Sequence, residues 1–202
     1  MPLTSEVTKT SYIRDGVHYR RVTTILEDWI EPWLVEWRLE LGRVEAGKKS
    51  RAALKIGSRV DELVMKDVMG QGYKLRKDDS KEVISCMAGW DSFKDRHSPK
   101  AVSVQVTSYD DLYGTAGTYD IELEDCLIDV KTGQQISPKY WLQVAWYNFI
   151  SGLNKPYIAI LRLDPFWKTF EYKVKPMKNG YLEVFKGIMA AQQYLAHQGE
   201  IE

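Results

Sequence analysis

Residues 114–133, GTAGTYDIELEDCLIDVKTG, restrict the fold of this chain more than any other stretch. Two runs, GTYDIEL and CLIDVK, alternate apolar and polar residues at period two, the pattern of half-buried strands. If they form a hairpin turning at Glu124–Asp125, Leu123 lies opposite Cys126 and Asp120 opposite Asp129. Alternation then puts Ile121, Leu123, Cys126, Ile128 and Val130 on one face, and Asp120, Glu122, Asp129 and Lys131 on the other. Glu–Asp is not a favoured two-residue turn, so this register is an expectation.

Two carboxylates directly opposed across antiparallel strands, with Cβ atoms about 4.5–5.5 Å apart, repel each other. A shared proton, a bridging cation or full hydration would hold them together. Their apolar neighbours Ile128 and Val130 argue against full hydration. A hard divalent ion suits oxygen ligands, and Mg²⁺ commonly takes one or two carboxylates together with phosphate oxygens. Lys131 points the same way as Asp129, where its ammonium can orient a water or neutralise charge on a phosphate. An exposed sheet edge carrying a Lys–Asp salt bridge fits the same spacing.

The rest of the composition narrows the field. The 202 residues suffice for one well-buried core, and 44% hydrophobic with 28% charged residues is ordinary for a soluble globular chain. No apolar run approaches the roughly 18–20 residues of a membrane span, and the opening MPLTSEVTKTSYIRDG lacks the apolar centre of a secretory signal. Cys86 and Cys126 supply neither a disulfide framework nor a metal-type spacing. The expected compartment is the cytoplasm. Net charge is zero, but its distribution is uneven. Arg43, Lys48, Lys49, Arg51, Lys55 and Arg59 face one acid, Glu45, within 43–59, whereas 110–129 holds seven acids and no base. Acidic centre beside basic flank suits a site holding cations and a polyanion together; a solvated helix face explains the basic run equally well. His18, His97 and His197 show no metal-binding spacing.

A single domain, 1–202, is expected, with a hairpin and helices over 1–98 and a sheet core over 99–202. Asp15–Gly16 predicts the first hairpin. TILEDWI reads as a short helix, and Pro32 starts PWLVEWRLELGRVEAG. A longer helix over about 50–69 closes at Gly70, and another spans about 81–96. Trp29, Trp33, Leu34, Trp37 and Leu41 recur at helical spacing and are expected in the core. After Pro99, AVSVQVTS and the two runs above read as strands. Ser137–Pro138 caps the helix YWLQVAWYNFIS, which stops at Gly152. PYIAILRL and FEYKVK add two strands, and a last helix covers about 181–197. The order implies an α/β fold with a central sheet covered by helices.

The motifs GTAGTYD, IDVKTG and LQVAWY, in that order, resemble the signature of the PD-(D/E)XK nuclease superfamily in its RecB-like and phage-exonuclease branch. The resemblance runs from about Val22 to the final helix and implies a restriction-endonuclease-like α/β core, a central mixed β-sheet flanked by helices. It implies that Asp120 and Asp129 ligate Mg²⁺ or Mn²⁺, with the Val130 carbonyl on the same side. Lys131 would position or activate the attacking water. Gln143 and Tyr147, one helical turn apart, would brace the active strand or touch the DNA backbone; by themselves they read as a buried Gln and a core Tyr. Many relatives carry Gly-x-x-x-His before the sheet. Here the stretch is Gly57-Ser58-Arg59-Val60-Asp61, which offers Asp61 as third ligand and Glu62 as the alternative; a solvent-facing acid fits too. The four thiolates of an iron–sulfur cluster are missing, as is a Gly-x-x-x-x-Gly-Lys-Ser/Thr motor motif.

The resemblance thus implies a metal-dependent deoxyribonuclease of phage or bacterial DNA recombination or repair, with exonuclease action favoured. An endonuclease and a catalytically inactive DNA-binding module are the alternatives. Lys48, Lys49, Arg51, Lys55 and Arg59 would follow the DNA backbone. A recombination or helicase protein is a candidate partner, no membrane is expected, and the sequence fixes no oligomeric state.

Overall fold

Period-two alternation in the second half of the chain builds one mixed sheet, seen in a computed structural model that describes residues 5–8 and 10–198. The expected outer bounds, 1 and 202, lie outside the described residues. Strands β1 (Ser5–Val7), β2 (Ser11–Arg14) and β3 (Val17–Arg21) come first. After the helices come β4 (Ser103–Asp110), β5 (Thr115–Glu122), β6 (Cys126–Thr132), β7 (Tyr157–Leu163) and β8 (Phe170–Pro176). Their spatial order is β1-β2-β3-β5-β6-β7-β8, with β4 on the other side of β5. Pairing is antiparallel except for β3–β5 and β6–β7. Asp15 and Gly16 both take positive φ, 51° and 80°, as the tight β2–β3 turn demands.

The register at the centre agrees with the sequence. Ile121 pairs with Ile128 and Glu122 with Leu127, and Leu123 closes the turn by donating to the Cys126 carbonyl at 2.8 Å. Ladder pairing then stops, one step short of Asp120 and Asp129. At its other end, the same side of β5 pairs with β3 through Thr115 and Ala116 only. Residues 117–120 of β5 are therefore left without a strand partner on that side, forming a fork between β3 and β6.

Helices cover both faces of the sheet. On one lie α1 (Val22–Ile25), α4 (Pro138–Ile150) and α5 (Asn179–Gln198), packing Ile25, Trp146 and Phe185 on Leu127, Ile158 and Ile160. On the other lie α2 (Pro32–Val68) and α3 (Lys81–His97), packing Val64, Met87 and Trp90 on Ile121, Ile128 and Leu161. The apolar hairpin face expected from alternation is this second one, with Leu123 and Val130 at its margin. One residue breaks the pattern: Tyr119 packs on the α4 side although Ile121 packs on the α2 side, so β5 switches faces at Asp120. Opposite it, the β4–β5 ladder skips the pair Gln105–Asp120, and Gln105 takes φ 49°, unusual for a non-glycine residue.

Two expectations for the N-terminal helices are corrected. The helices expected to part near residue 48 form one 37-residue element, broken instead at Gly42, whose φ of 73° suits glycine. Most of the tryptophan and leucine stripe is not core: Trp33 is 45% exposed and Leu34, Trp37 and Leu41 are only half-buried, whereas Trp29 packs against the α4-side core. Apart from Ala46, residues of α2 become deeply buried from Val60 onward, where α3 lies against them. Ser80 caps α3 through Val83 N–H, and Ser137 caps α4 through Lys139 N–H, with Pro138 at the first turn.

Candidate active site

The fork brings the charged groups together. Asp129 sits on the α4 side of β6 and is buried, 1% exposed. Lys131, two residues on and facing the same way, places Nζ 2.7 Å from Asp129 Oδ2. Asp120 lies where β5 switches faces, and its Oδ2 accepts the Val130 N–H at 2.7 Å. A carboxylate thus takes the place of the ladder partner that β5 fails to supply, which satisfies an amide that burial would otherwise penalise. From α2, Asp61 approaches the same charges while its Oδ2 accepts from Gln105 Nε2 at 3.1 Å.

Each carboxyl group feels the others. Burial raises the pKa of Asp120, and the Asp129 charge raises it further. Burial also raises Asp129 and Asp61, against the pull of Lys131. For Lys131, loss of water works against the ammonium, but Asp129 and Asp120 outweigh it and its pKa rises. Lys131 is therefore held as a cation.

The helix behind the site locks it. Gln143 Nε2 donates to Asp129 Oδ1 at 3.3 Å and to the Tyr147 hydroxyl at 3.0 Å. The Tyr147 ring lies against Gly117, where any side chain would collide with it. The structure thus gives Gln143 and Tyr147 a bracing position behind the strand rather than one on an exposed surface. Tyr140, one turn earlier, places its ring 5.2 Å from Lys131 Nζ, a cation–π distance.

The acids that sequence left as alternatives separate cleanly. Glu62 faces away, held by Arg59 at 2.8 Å and Lys66 at 2.7 Å, while Asp61 faces Asp129 and Lys131. Arg59 is also distinct from the basic run in which it was placed. Its guanidinium, 13% exposed, is engaged by Asp79 and Glu62 and ties α2 to the segment before α3. Lys48, Lys49, Arg51 and Lys55 are exposed along α2. Gln105 and Tyr140 were not anticipated. A polar residue in an alternating strand reads as solvent-facing, and a Tyr beside Trp141 reads as core.

The donor set fits a hard cation. Asp129 Oδ2 is buried and has the Lys131 ammonium, 2.7 Å away, as its partner. Oxygen-only ligands, three carboxylates in mutual electrostatic range and a strand carbonyl suit Mg²⁺ or Mn²⁺ rather than a softer metal. As placed, no three His, Cys, Asp or Glu side chains among the described residues already form a metal cluster. Cys86 and Cys126 are both buried and free.

The architecture is shared with a crystal structure named "Putative exonuclease" from Eubacterium rectale. The TM-score is 0.53 at 16% identity, covering 74% of this chain and 69% of the other. At that identity the likeness is one of fold: a central mixed sheet flanked by helices. A looser likeness, TM-score 0.47 at 9% identity over 90% of this chain and 93% of the other, is to an alkaline exonuclease from Laribacter hongkongensis. No protein-family model and no curated protein sequence matches the chain. Within this shared fold, the fork between β3 and β6 is where Asp120, Asp129 and Lys131 meet. No helix among the described residues is long and apolar enough to cross a membrane.

Proposed function

We propose that this chain is a divalent-metal-dependent deoxyribonuclease acting from DNA ends. The observation that carries the reading is the convergence of buried Asp129, its Oδ2 2.7 Å from the Lys131 ammonium, with Asp120, which is bonded to the neighbouring Val130 amide. Asp120, Asp129, Asp61 and the Val130 carbonyl would hold Mg²⁺ or Mn²⁺. Bound there, the ion would polarise the scissile phosphate and acidify a water molecule.

The protein's own groups supply the remainder. Because Lys131 keeps its proton, it serves as a fixed positive charge that orients water and stabilises negative charge growing on the phosphate oxygens. The water oxygen forms the new bond to phosphorus, the ester oxygen departs, and the proton lost by the water ends on that leaving oxygen. Gln143 fixes the rotamer of Asp129, and Tyr147 fixes Gln143, so the acid does not reorganise during the step. Lys48, Lys49, Arg51 and Lys55 would follow the strand by its phosphates, which favours DNA without regard to sequence. A role in recombination or repair alongside a helicase or recombination protein belongs to the same reading.

Incubation of the purified protein with Mg²⁺ and either end-labelled linear DNA or a covalently closed circle tests this. Progressive shortening of the linear molecule with the circle left intact is the expected result. A nicked or cut circle would make the enzyme an endonuclease, and binding without any product would leave a nucleic-acid-binding module.

A further inference from the structure

The loop joining β7 to β8 exposes two large aromatic side chains, Phe166 at 56% and Trp167 at 77%. Buried polar groups hold that loop rigid. Asp164, 7% exposed, accepts at Oδ1 from the amides of Phe166 (2.8 Å) and Trp167 (3.0 Å). Its own amide donates to the Thr169 carbonyl at 2.9 Å, closing the loop on itself. Ser85 of α3 donates to the Asp164 carbonyl at 3.0 Å and accepts the Lys168 amide at 2.8 Å. Four residues further along α3, Gly89 lets the Thr169 backbone lie directly on the helix, where a Cβ would collide. Buried Asp and Ser side chains are costly unless fully bonded, and here they fix a loop whose outward residues are apolar.

The loop is mechanically joined to the active strand. Arg162 Nη1 donates to the Gly133 carbonyl and to Asp164 Oδ2, both at 2.8 Å. In the parallel β6–β7 pair, Arg162 lies beside Lys131 and Leu163 beside Thr132. Trp167 is five steps along the chain from Arg162, at most ~18 Å, so the aromatics stand within about 25 Å of Lys131. That is a distance of a few nucleotides. Lys168, also exposed, adds a positive charge beside the rings.

We infer that Phe166 and Trp167 form a stacking platform for nucleobases of the DNA strand entering the cleavage site, with Lys168 on an adjacent phosphate. This rests on the nuclease reading above. Every base offers a π face, so such a platform holds a strand without selecting sequence, which is what degradation from an end requires. Rigidity matters because a fixed ring loses little freedom when a base stacks on it.

The test measures equilibrium binding of a fluorescent single-stranded oligonucleotide, in chelator so that nothing is cut. A matched oligonucleotide carrying abasic sites serves as partner probe. Wild type, Trp167→Ala and Trp167→Phe are compared. Trp167→Ala is expected to weaken binding of the normal strand about tenfold and to leave the abasic strand unchanged, while Trp167→Phe stays near wild type. Equal binding of both strands by wild type and Trp167→Ala would overturn the inference, as would no binding by wild type. So would a change of oligomeric state in Trp167→Ala by sedimentation, which would make the rings a contact between copies. If Trp167 governs base-dependent binding but no product forms with Mg²⁺, the cleavage reading fails and the platform stands. If cleavage proceeds and Trp167→Ala changes nothing, only the platform fails.

Discussion

Asp120→Asn will abolish DNA cleavage and at the same time raise the melting temperature. The carboxylate is held among Asp129 and Asp61 with burial opposing its charge, a combination that lifts its pKa from 3.8 to about 8. Such an arrangement costs stability in the resting protein and is retained where function needs the charge. An asparagine oxygen can still accept the Val130 N–H, so the backbone of the fork is preserved. Loss of the ligand should lower activity by about 10³-fold or more. Removal of the repulsion should add about 1 kcal/mol, or roughly 2–4 °C in a chain of this size. The sign with pH follows from the raised value. Its favourable contribution is complete below the unfolded pKa and fades as pH rises through the folded one, so the variant's advantage is largest at high pH and shrinks on acidification from about 8 toward 3.8. Thermal melts of both proteins across that range, with cleavage measured in parallel, check it. A variant that cuts DNA normally, or melts lower than wild type at high pH, would contradict it.

Gly117→Ala carries the second large effect. The added methyl would overlap the Tyr147 ring, which is buried and hydrogen-bonded through its hydroxyl to Gln143. Overpacking of this kind costs about 1–3 kcal/mol, or several degrees of melting temperature. Its reach goes further, because displacing Tyr147 moves Gln143, and Gln143 bonds Asp129. Cleavage is expected to fall about 10- to 100-fold in material that is still folded. Adding Tyr147→Leu should recover part of the stability but not the activity, since it makes room for the methyl while removing the brace. Strict additivity of the two substitutions in melting experiments would count against a shared contact.

What could be read in the sequence was local. The β5–β6 register follows from alternation and the position of the turn, and Asp15–Gly16 and Ser137–Pro138 mark their elements by turn and cap chemistry. The acidic pair and Lys131 followed from that register. The fork did not, because it depends on β3 pairing with β5 across more than ninety residues of chain, a contact that no local pattern encodes. The face switch at Asp120 was hidden for the same reason; Gln105 opposite it looks like any outward polar residue. Helical periodicity placed Trp33, Leu34 and Trp37 in the core, but a periodic stripe says which face is apolar, not whether another element covers it. The same limit applied to Gly42 and Gly47: both lie in the α2 sequence, and only Gly42 takes a left-handed φ. Motif spacing offered both Asp61 and Glu62, and packing separated them, since Arg59 and Lys66 claim Glu62.

Titration of Mn²⁺ into the purified protein, followed by calorimetry and repeated with Asp129→Asn, goes to the heart of the account. A saturable site in wild type that disappears in Asp129→Asn is the predicted result. A wild-type protein that takes up no Mn²⁺, or a variant that binds it equally well, would mean that these carboxylates do not hold the ion on which the proposed cleavage depends.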